Sequence, residues 1–128
     1  MTIRMAYLAA TLSGLLALSA AASGDSRLSI TVSPTMAYAP TKLWVYTRVT
    51  PDRAHRAIEI TAESEEFYRS SEITLDGDRA PRTNVFEFRG LPAGTYEVRG
   101  VLKGDGGREI EVATETVTLF ETNGRTDR

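Results

Sequence analysis

One histidine and a nearby carboxylate are the residues of this sequence that most resemble a catalytic or metal-binding pair. Asp52 and His55 stand in an Asp-x-x-His spacing, and an imidazole beside a carboxylate can act as a general base or ligate a metal. A single histidine does not supply the set that a zinc site needs. Arg53 and Arg56 would also repel a cation. We therefore predict that this pair lies in a solvated turn and carries no chemistry.

Clustered aspartates and adjacent serines are the next candidates. Asp76, Asp78 and Asp105 stand beside glycines, but the twelve-residue calcium loop pattern is absent. Asp-Gly pairs favour hairpin turns, because glycine tolerates positive φ, and we predict turns at these positions. Ser70 and Ser71 lack the glycine-flanked elbow of a nucleophilic serine. No phosphate-binding loop or dinucleotide fingerprint occurs. The sequence thus predicts a protein that is not an enzyme, with no catalytic residue, metal ligand or cofactor.

Trp44, Tyr46 and Arg48 have the residue types of a binding surface. They alternate with Leu43 and Val45, so they face outward in one row if the aliphatic residues face a core. Trp, Tyr and Arg dominate binding hot spots, and we predict a protein-binding face here. Binding of carbohydrate by the same aromatic row is the alternative. In a third interpretation, Trp44 packs at the rim of the fold beneath residues 36–40.

A second set of outward positions is acidic. Its members are Glu59, Glu63, Glu97, Glu109 and Glu111, with Arg99 among them. They fall on the third, sixth and seventh predicted strands, which share one sheet in a common arrangement of two-sheet sandwiches. Such a face could steer a basic partner, or it could keep an exposed sheet soluble and its edges unpaired.

The elements that must position these side chains are β-strands. Apolar and polar residues alternate with period two over residues 28–32, 43–49, 58–62, 73–75, 86–88, 96–102 and 110–119. Pro, Gly and Asp clusters separate these runs. Alternation places one set of side chains in a core and the other in water. The pattern predicts an all-β fold, a seven-stranded antiparallel sandwich of two sheets.

The last predicted strand contains a change of parity. Ile110 and Val112 are even-numbered, whereas Val117 and Leu119 are odd-numbered. One extra residue reverses side-chain direction, so we expect a bulge near residues 113–115, or a strand that crosses between the sheets.

Residues 1–22 have the pattern of a secretory signal peptide. Arg4 supplies the basic start, a leucine- and alanine-rich stretch follows, and Ala20 and Ala22 suit a cleavage site. The apolar stretch is short for a membrane span, so we expect no stable membrane insertion after cleavage. We predict a periplasmic or secreted protein, with a single domain over residues 23–120 and a polar tail over residues 121–128.

The charge of the 128-residue chain limits its partners. The net charge is −2 and there is no cysteine, so neither a disulfide nor a thiolate ligand can form. Loss of Arg4 with the signal peptide makes the net charge about −3. A negative chain without a basic stripe is not expected to bind nucleic acid or to attach to an anionic membrane through a polybasic patch.

The segment of residues 91–98, Leu-Pro-Ala-Gly-Thr-Tyr-Glu-Val, carries a family resemblance. Pro92 and Gly94 form a turn, and Tyr96 opens the next alternating run. This resembles the tyrosine corner of immunoglobulin-like and fibronectin type III-like domains, in which the tyrosine hydroxyl bonds to backbone just upstream. Val98 stands where an antibody domain has cysteine. The resemblance implies a bacterial immunoglobulin-like sandwich acting as an exported, non-catalytic binding or structural module. An accessory domain of a secreted hydrolase, or a minor hydrolase itself, is the remaining alternative.

Overall fold

This computed structural model describes residues 26–122 of the chain. Within this range the chain forms eight β-strands. They are β1 (Leu28–Ser33), β2 (Met36–Tyr38), β3 (Thr41–Val49), β4 (Ala57–Glu63), β5 (Tyr68–Thr74), β6 (Thr83–Leu91), β7 (Gly94–Lys103) and β8 (Glu109–Phe120). Two 3₁₀ turns, Gly77–Arg79 and Asp105–Gly107, lie between strands. No helix within this range is long and apolar enough to cross a membrane. The predicted signal peptide and residues 123–128 of the predicted tail lie outside the described residues.

The strands form two sheets, which confirms the predicted all-β sandwich. One sheet has the order β1-β3-β6 and the other has the order β2-β8-β7-β4-β5. All pairs are antiparallel except β2 with β8, which are parallel. β2 is the strand that raises the predicted number from seven to eight. This partition of strands is, at a coarse level, immunoglobulin-like.

The core lies between the sheets and consists of the inward members of the alternating runs. Its most enclosed side chains, none more than 4% exposed, include Leu43, Val45, Ile58, Ile60, Phe86, Phe88, Tyr96, Val98, Leu102 and Val117. The five prolines of the sequence all lie in connections rather than in strands. This placement follows because proline cannot donate a ladder hydrogen bond. The alternating pattern and the positions of proline therefore indicate the same strand ends.

Gly100 allows an especially close approach within the core. It occupies an inward position of β7, where a Cβ atom would lie 3.0 Å from Ile30 Cγ2 and 3.1 Å from Ile60 Cδ1. The absence of a side chain leaves room for isoleucines from β1 and β4 to meet over the β7 backbone.

β8 differs from the prediction in the position of its irregularity. The β7–β8 register shifts between Leu102 and Lys103, whose partners are Glu111 and Glu109, so the bulged residue is Ile110. Ile110 packs against the edge of the core, and Val112 is 39% exposed. The bulge predicted near residues 113–115 and the inward position of Val112 are therefore wrong. The odd-numbered residues of β8 face inward from Glu111 onward.

The two Asp-Gly segments have different roles. Residues 104–107 join β7 to its antiparallel neighbour β8, as a hairpin turn should. The turn at Asp76 to Asp78 instead connects β5 in one sheet to β6 in the other, so the hairpin predicted there is wrong. Gly77 has φ +53°, which explains the glycine at this position.

Tyr96 closes the turn between β6 and β7 from within the core. Its side chain is fully buried, and its hydroxyl donates a hydrogen bond to the Pro92 carbonyl oxygen at 2.7 Å. The ring meets Phe67 edge-on, with centroids 6.2 Å apart. Burial raises the pKa of the Tyr96 phenol. The hydroxyl therefore remains a neutral donor that satisfies a carbonyl group at the crossover between sheets.

We expect Tyr96→Phe to lower the free energy of unfolding by about 1–2 kcal/mol, because it removes the donor and leaves the Pro92 carbonyl without its partner. Urea unfolding followed by circular dichroism measures this. Tyr38→Phe is the matched control: Tyr38 is 69% exposed, and its change should stay within about 0.5 kcal/mol. Equal effects of the two substitutions would show that the Tyr96–Pro92 bond contributes nothing to stability.

Candidate binding face of the three-stranded sheet

Trp44, Tyr46 and Arg48 lie on the outward side of β3, the central strand of the sheet β1-β3-β6. The residues between them, Val45 and Thr47, are buried on the inward side. Tyr46 is 44% exposed, Arg48 is exposed and Trp44 is half-buried. Alternation along a single strand places the three side chains in one row because successive residues point to opposite faces.

The neighbouring strands shape this row unequally. On the β1 side, Ser29, Thr31 and Ser33 oppose Arg48, Tyr46 and Trp44. On the β6 side, Thr83, Val85 and Glu87 oppose the same three residues. The β1 side chains next to the row are thus small and hydroxyl-bearing, whereas β6 contributes larger ones, Val85 and Glu87. A depression of about 490 Å³ is lined by Ser29, Thr31, Tyr46, Arg48, Thr83 and Val85, among others.

Val85 adds an apolar contribution that the sequence analysis missed. It is 56% exposed and lies directly across from Tyr46. An aromatic and a β-branched side chain directly opposite each other on one face contact each other across the strands and stabilise the sheet. The sequence already indicates this position. Val85 directly precedes Phe86, which faces the core, so Val85 must face outward.

The Trp44 end of the row is covered by charged side chains. The Lys42 ammonium lies 5.3 Å from the centroid of the Trp44 ring, in cation–π geometry. Lys42 Nζ also lies 3.2 Å from Glu87 Oε2, and Arg89 Nε lies 3.0 Å from the same oxygen. The hydrogen bonds from Arg89 and Lys42 lower the pKa of the Glu87 carboxyl. Trp44 is therefore partly covered by Lys42, a residue of the same strand.

The outer face of this sheet carries an excess of positive charge. Its cations are Lys42, Arg48 and Arg89, and Glu87 is the one acidic side chain on the strand positions just described. The whole chain has a net charge of −2, so the sign of this face is opposite to that of the molecule.

The predicted acidic face lies on the other sheet, and part of it is neutralised. Lys103 Nζ lies 2.9 Å from Glu59 Oε1 and 3.3 Å from Glu72 Oε2. The Lys103 hydrogen bond lowers the pKa of the Glu59 carboxyl. Arg99 lies 3.9 Å from Glu109. At this end of the sheet, three carboxylates are paired with two cations.

Glu111 was predicted on that outer face, and this is wrong. The bulge at Ile110 turns it to the inward side, where its carboxylate accepts backbone hydrogen bonds from Arg27 N at 3.0 Å and Leu28 N at 3.4 Å. Glu111 therefore connects the edge of one sheet to the first strand of the other.

His55 was predicted to lie in solvent, and this is also wrong. It is 2% exposed, and its Nδ1 atom has no hydrogen-bond partner within the described residues. The surrounding link is held against two strands, because Arg56 N donates to Lys103 O and Leu75 N donates to Arg56 O, both at 2.8 Å. The turn itself is confirmed, with His55 N donating to Asp52 O at 3.1 Å.

Asp52 and His55 do not form an acid–base pair. Asp52 is exposed, and its Oδ1 atom accepts a hydrogen bond from Ala54 N at 2.8 Å. That hydrogen bond lowers the pKa of Asp52. Across residues 26–122, no group of three or more His, Cys, Asp or Glu side chains is arranged to hold a metal ion.

Comparisons with known proteins show the fold and nothing finer. No family model matches the chain, and no curated protein sequence matches it. The chain is similar to a superoxide reductase (neelaredoxin) from Ignicoccus hospitalis, with 12% identity and a TM-score of 0.53 over 75% of this chain and 80% of that one.

The chain is also similar to part of a family 76 glycoside hydrolase from a bovine Bacteroides thetaiotaomicron strain. It has 22% identity and a TM-score of 0.51 over 72% of this chain, and the match spans only 20% of the hydrolase. A PKD domain of an M14-like peptidase from Thermoplasmatales archaeon SCGC AB-540-F20 is 19% identical, with a TM-score of 0.48, over 75% of this chain and 98% of that domain.

We expect Glu87→Gln to change the acid sensitivity of the fold. A lowered pKa means that ionised Glu87 stabilises the folded state above its unfolded-state pKa of 4.5. This stabilisation is lost as the pH falls through the lower folded-state pKa. The difference in unfolding free energy between wild type and variant should be largest above about pH 5 and should shrink towards about pH 3. Urea titrations at several pH values measure it.

Glu115→Gln is the control for this experiment, because Glu115 is exposed and forms no ion pair with another described residue. A Glu87→Gln difference that stays constant across the pH range would contradict the assigned role of Arg89 and Lys42.

Proposed function

We propose that this chain is an exported, non-catalytic binding or structural module that recognises a protein partner through the outer face of the sheet β1-β3-β6. The Tyr96–Pro92 hydrogen bond and the division into three and five strands support a tyrosine-corner sandwich of the immunoglobulin or fibronectin type III kind. Because fold does not imply function, the functional proposal rests on the face itself.

The single observation that carries the proposal is the exposure of Tyr46 and Val85 beside Arg48. Two apolar side chains, 44% and 56% exposed, border a depression that Arg48 also lines. Tyr and Arg anchors next to a pocket are the typical composition of a protein-binding hot spot. The excess of positive charge on the same face favours a partner with an acidic contact surface.

Binding of carbohydrate is the second candidate, favoured by the hydroxyl groups of Ser29, Thr31 and Thr83 around the depression. The position of Lys42 argues against it. Its ammonium covers the Trp44 ring, so one of the two aromatic surfaces that a sugar would stack on is occupied. Tyr46 alone is a smaller platform, and a protein partner therefore fits the face better.

A hydrolytic role has little support. His55 is the only histidine of the sequence, and it is 2% exposed, so a substrate cannot reach its imidazole without rearrangement of the surrounding link. The Asp52 carboxylate is engaged by its own backbone.

We expect the double substitution Trp44→Ser with Tyr46→Ser to reduce capture of the partner by at least about tenfold, because it removes the aromatic anchors from the face. The fold should persist, since both side chains point away from the core. The measurement is affinity purification from the native periplasmic extract with quantitative mass spectrometry, with circular dichroism to verify folding.

Tyr68→Ser is the matched control, because Tyr68 is a tyrosine with 59% exposure on the opposite sheet. Electrophoresis in native gels cast with acidic and neutral polysaccharides tests the second candidate, carbohydrate binding. Partner capture unaffected by the double substitution would refute the protein-binding face. Gel retardation by a polysaccharide, lost in the double variant, would favour carbohydrate binding.

Export is a separate part of the proposal and has its own test. We expect the full chain, produced in a bacterium, to appear outside the cytoplasm with its N terminus at residue 23, because Ala20 and Ala22 suit signal peptidase. Intact-mass spectrometry of each cell fraction measures this. Leu15→Arg with Leu16→Arg should block processing by interrupting the apolar stretch. A wild-type chain that stays in the cytoplasm with residues 1–22 attached would refute export.

A further inference from the structure

A second exposed apolar surface lies on the other sheet, at the edge formed by β2 and the end of β8. Met36 is 64% exposed, Tyr38 69% and Phe120 42%. The parallel pairing of β2 with β8 places Met36 beside Thr118 and Tyr38 beside Phe120. The Tyr38 and Phe120 rings have centroids 5.9 Å apart. We call Met36, Tyr38 and Phe120 the β2–β8 patch.

An uncompensated pair of carboxylates lies on the same outer face. Glu63 of β4 and Glu97 of β7 are directly paired across the strands. Both are exposed, and neither lies within 4.0 Å of a lysine or arginine nitrogen of the described residues. Like charges directly opposite each other destabilise a sheet. At the other end of this sheet the carboxylates are paired with Lys103 and Arg99, whereas Glu63 and Glu97 have no such partner among the described residues.

Two clefts connect the patch to the carboxylate pair. One, of about 660 Å³, is lined by Phe120, Thr118, Thr95, Glu65, Glu66 and Glu121, among others. The other, of about 460 Å³, is bordered by Thr95, Thr116, Glu63 and Glu97. Thr95 lines both clefts. The surface therefore passes from apolar residues through threonines to carboxylates without interruption.

We propose that this surface docks a basic, apolar segment of a partner polypeptide. Charge complementarity selects the occupant: the carboxylates around the clefts would attract lysine or arginine side chains, while the β2–β8 patch would bury the apolar side chains that alternate with them. The same carboxylates would repel an anionic lipid surface or a nucleic acid. In the free protein Glu63 and Glu97 repel each other. A bound lysine or arginine side chain would relieve this repulsion, which favours binding.

This surface is distinct from the face that carries Trp44, Tyr46 and Arg48. The two lie on the outer sides of different sheets and have opposite charge. The module would thus offer a positive contact face on one side and a negative one on the other, a geometry that suits a protein which connects two partners.

The test uses a synthetic peptide of about twelve residues that alternates lysine and leucine, and its glutamate–leucine counterpart, with binding to the full chain followed by fluorescence anisotropy. We expect the lysine peptide alone to bind. Raising the salt from about 0.02 M to about 0.5 M should weaken binding by about tenfold, because screening acts on exposed charge pairs.

Two double variants separate the apolar and charged contributions. Met36→Ser with Tyr38→Ser, and Glu63→Gln with Glu97→Gln, should each weaken binding by about tenfold. Val112→Ser controls for the loss of an exposed apolar side chain, since Val112 is 39% exposed and lies at the other end of the same sheet, and it should leave binding unchanged. Asp76→Asn with Asp78→Asn removes the same number of charges in the turn between β5 and β6, and it should leave binding unchanged.

Three outcomes would overturn the inference. The first is equal binding of both peptides, and the second is equal weakening by the control variants. The third is a concentration-dependent dimer, seen by sedimentation, that is lost in the Met36→Ser/Tyr38→Ser variant, which would assign the surface to a second copy of this chain. Because Trp44 and Tyr46 are intact in both test variants, failure here leaves the proposed partner face untouched.

Discussion

Burial of an apolar layer between two sheets is the constraint on which the rest of the molecule depends. The strands of both sheets contribute every second side chain to this layer, and the side chains between them therefore lie on the outer faces. The chain has no disulfide to support the sandwich, so packing must supply its stability. Gly100 illustrates how closely the layer is packed, since Ile30 and Ile60 occupy the space that a side chain would need.

Polar contacts join the two sheets where the apolar layer reaches its limits. Tyr96 satisfies the Pro92 carbonyl at the crossover from β6 to β7. Glu111 accepts the backbone N–H groups at the start of β1. On the opposite side, Arg69 donates to the Arg89 carbonyl at 3.3 Å. Each contact joins a side chain to a backbone group, and backbone groups that are left unpaired in a protein interior are costly.

The two outer faces then differ in charge although the same alternation produces both. On the sheet β1-β3-β6, cations surround one carboxylate and one of them covers Trp44. On the other sheet, Lys103 and Arg99 pair with three carboxylates at one end, while Glu63 and Glu97 face each other at the other end. The same two-sheet fold therefore presents two outer faces of opposite charge, and because fold does not imply function, any role must be argued from the residues of these faces.

The all-β class, the two-sheet arrangement and the outward row of Trp44, Tyr46 and Arg48 could all be predicted from local parity, because side-chain direction along a strand depends on it. Features that depend on contacts between strands could not be predicted in this way. The bulge at Ile110 reversed the positions expected for Glu111 and Val112, since a bulge is set by pairing with β7. Pairing of β2 with the end of β8 brought Tyr38 and Phe120 together across 82 positions of sequence. His55 is buried next to Arg56, which is hydrogen-bonded to Lys103 of β7 and to Leu75 just after β5, and contacts between distant segments leave no periodic signal in the chain.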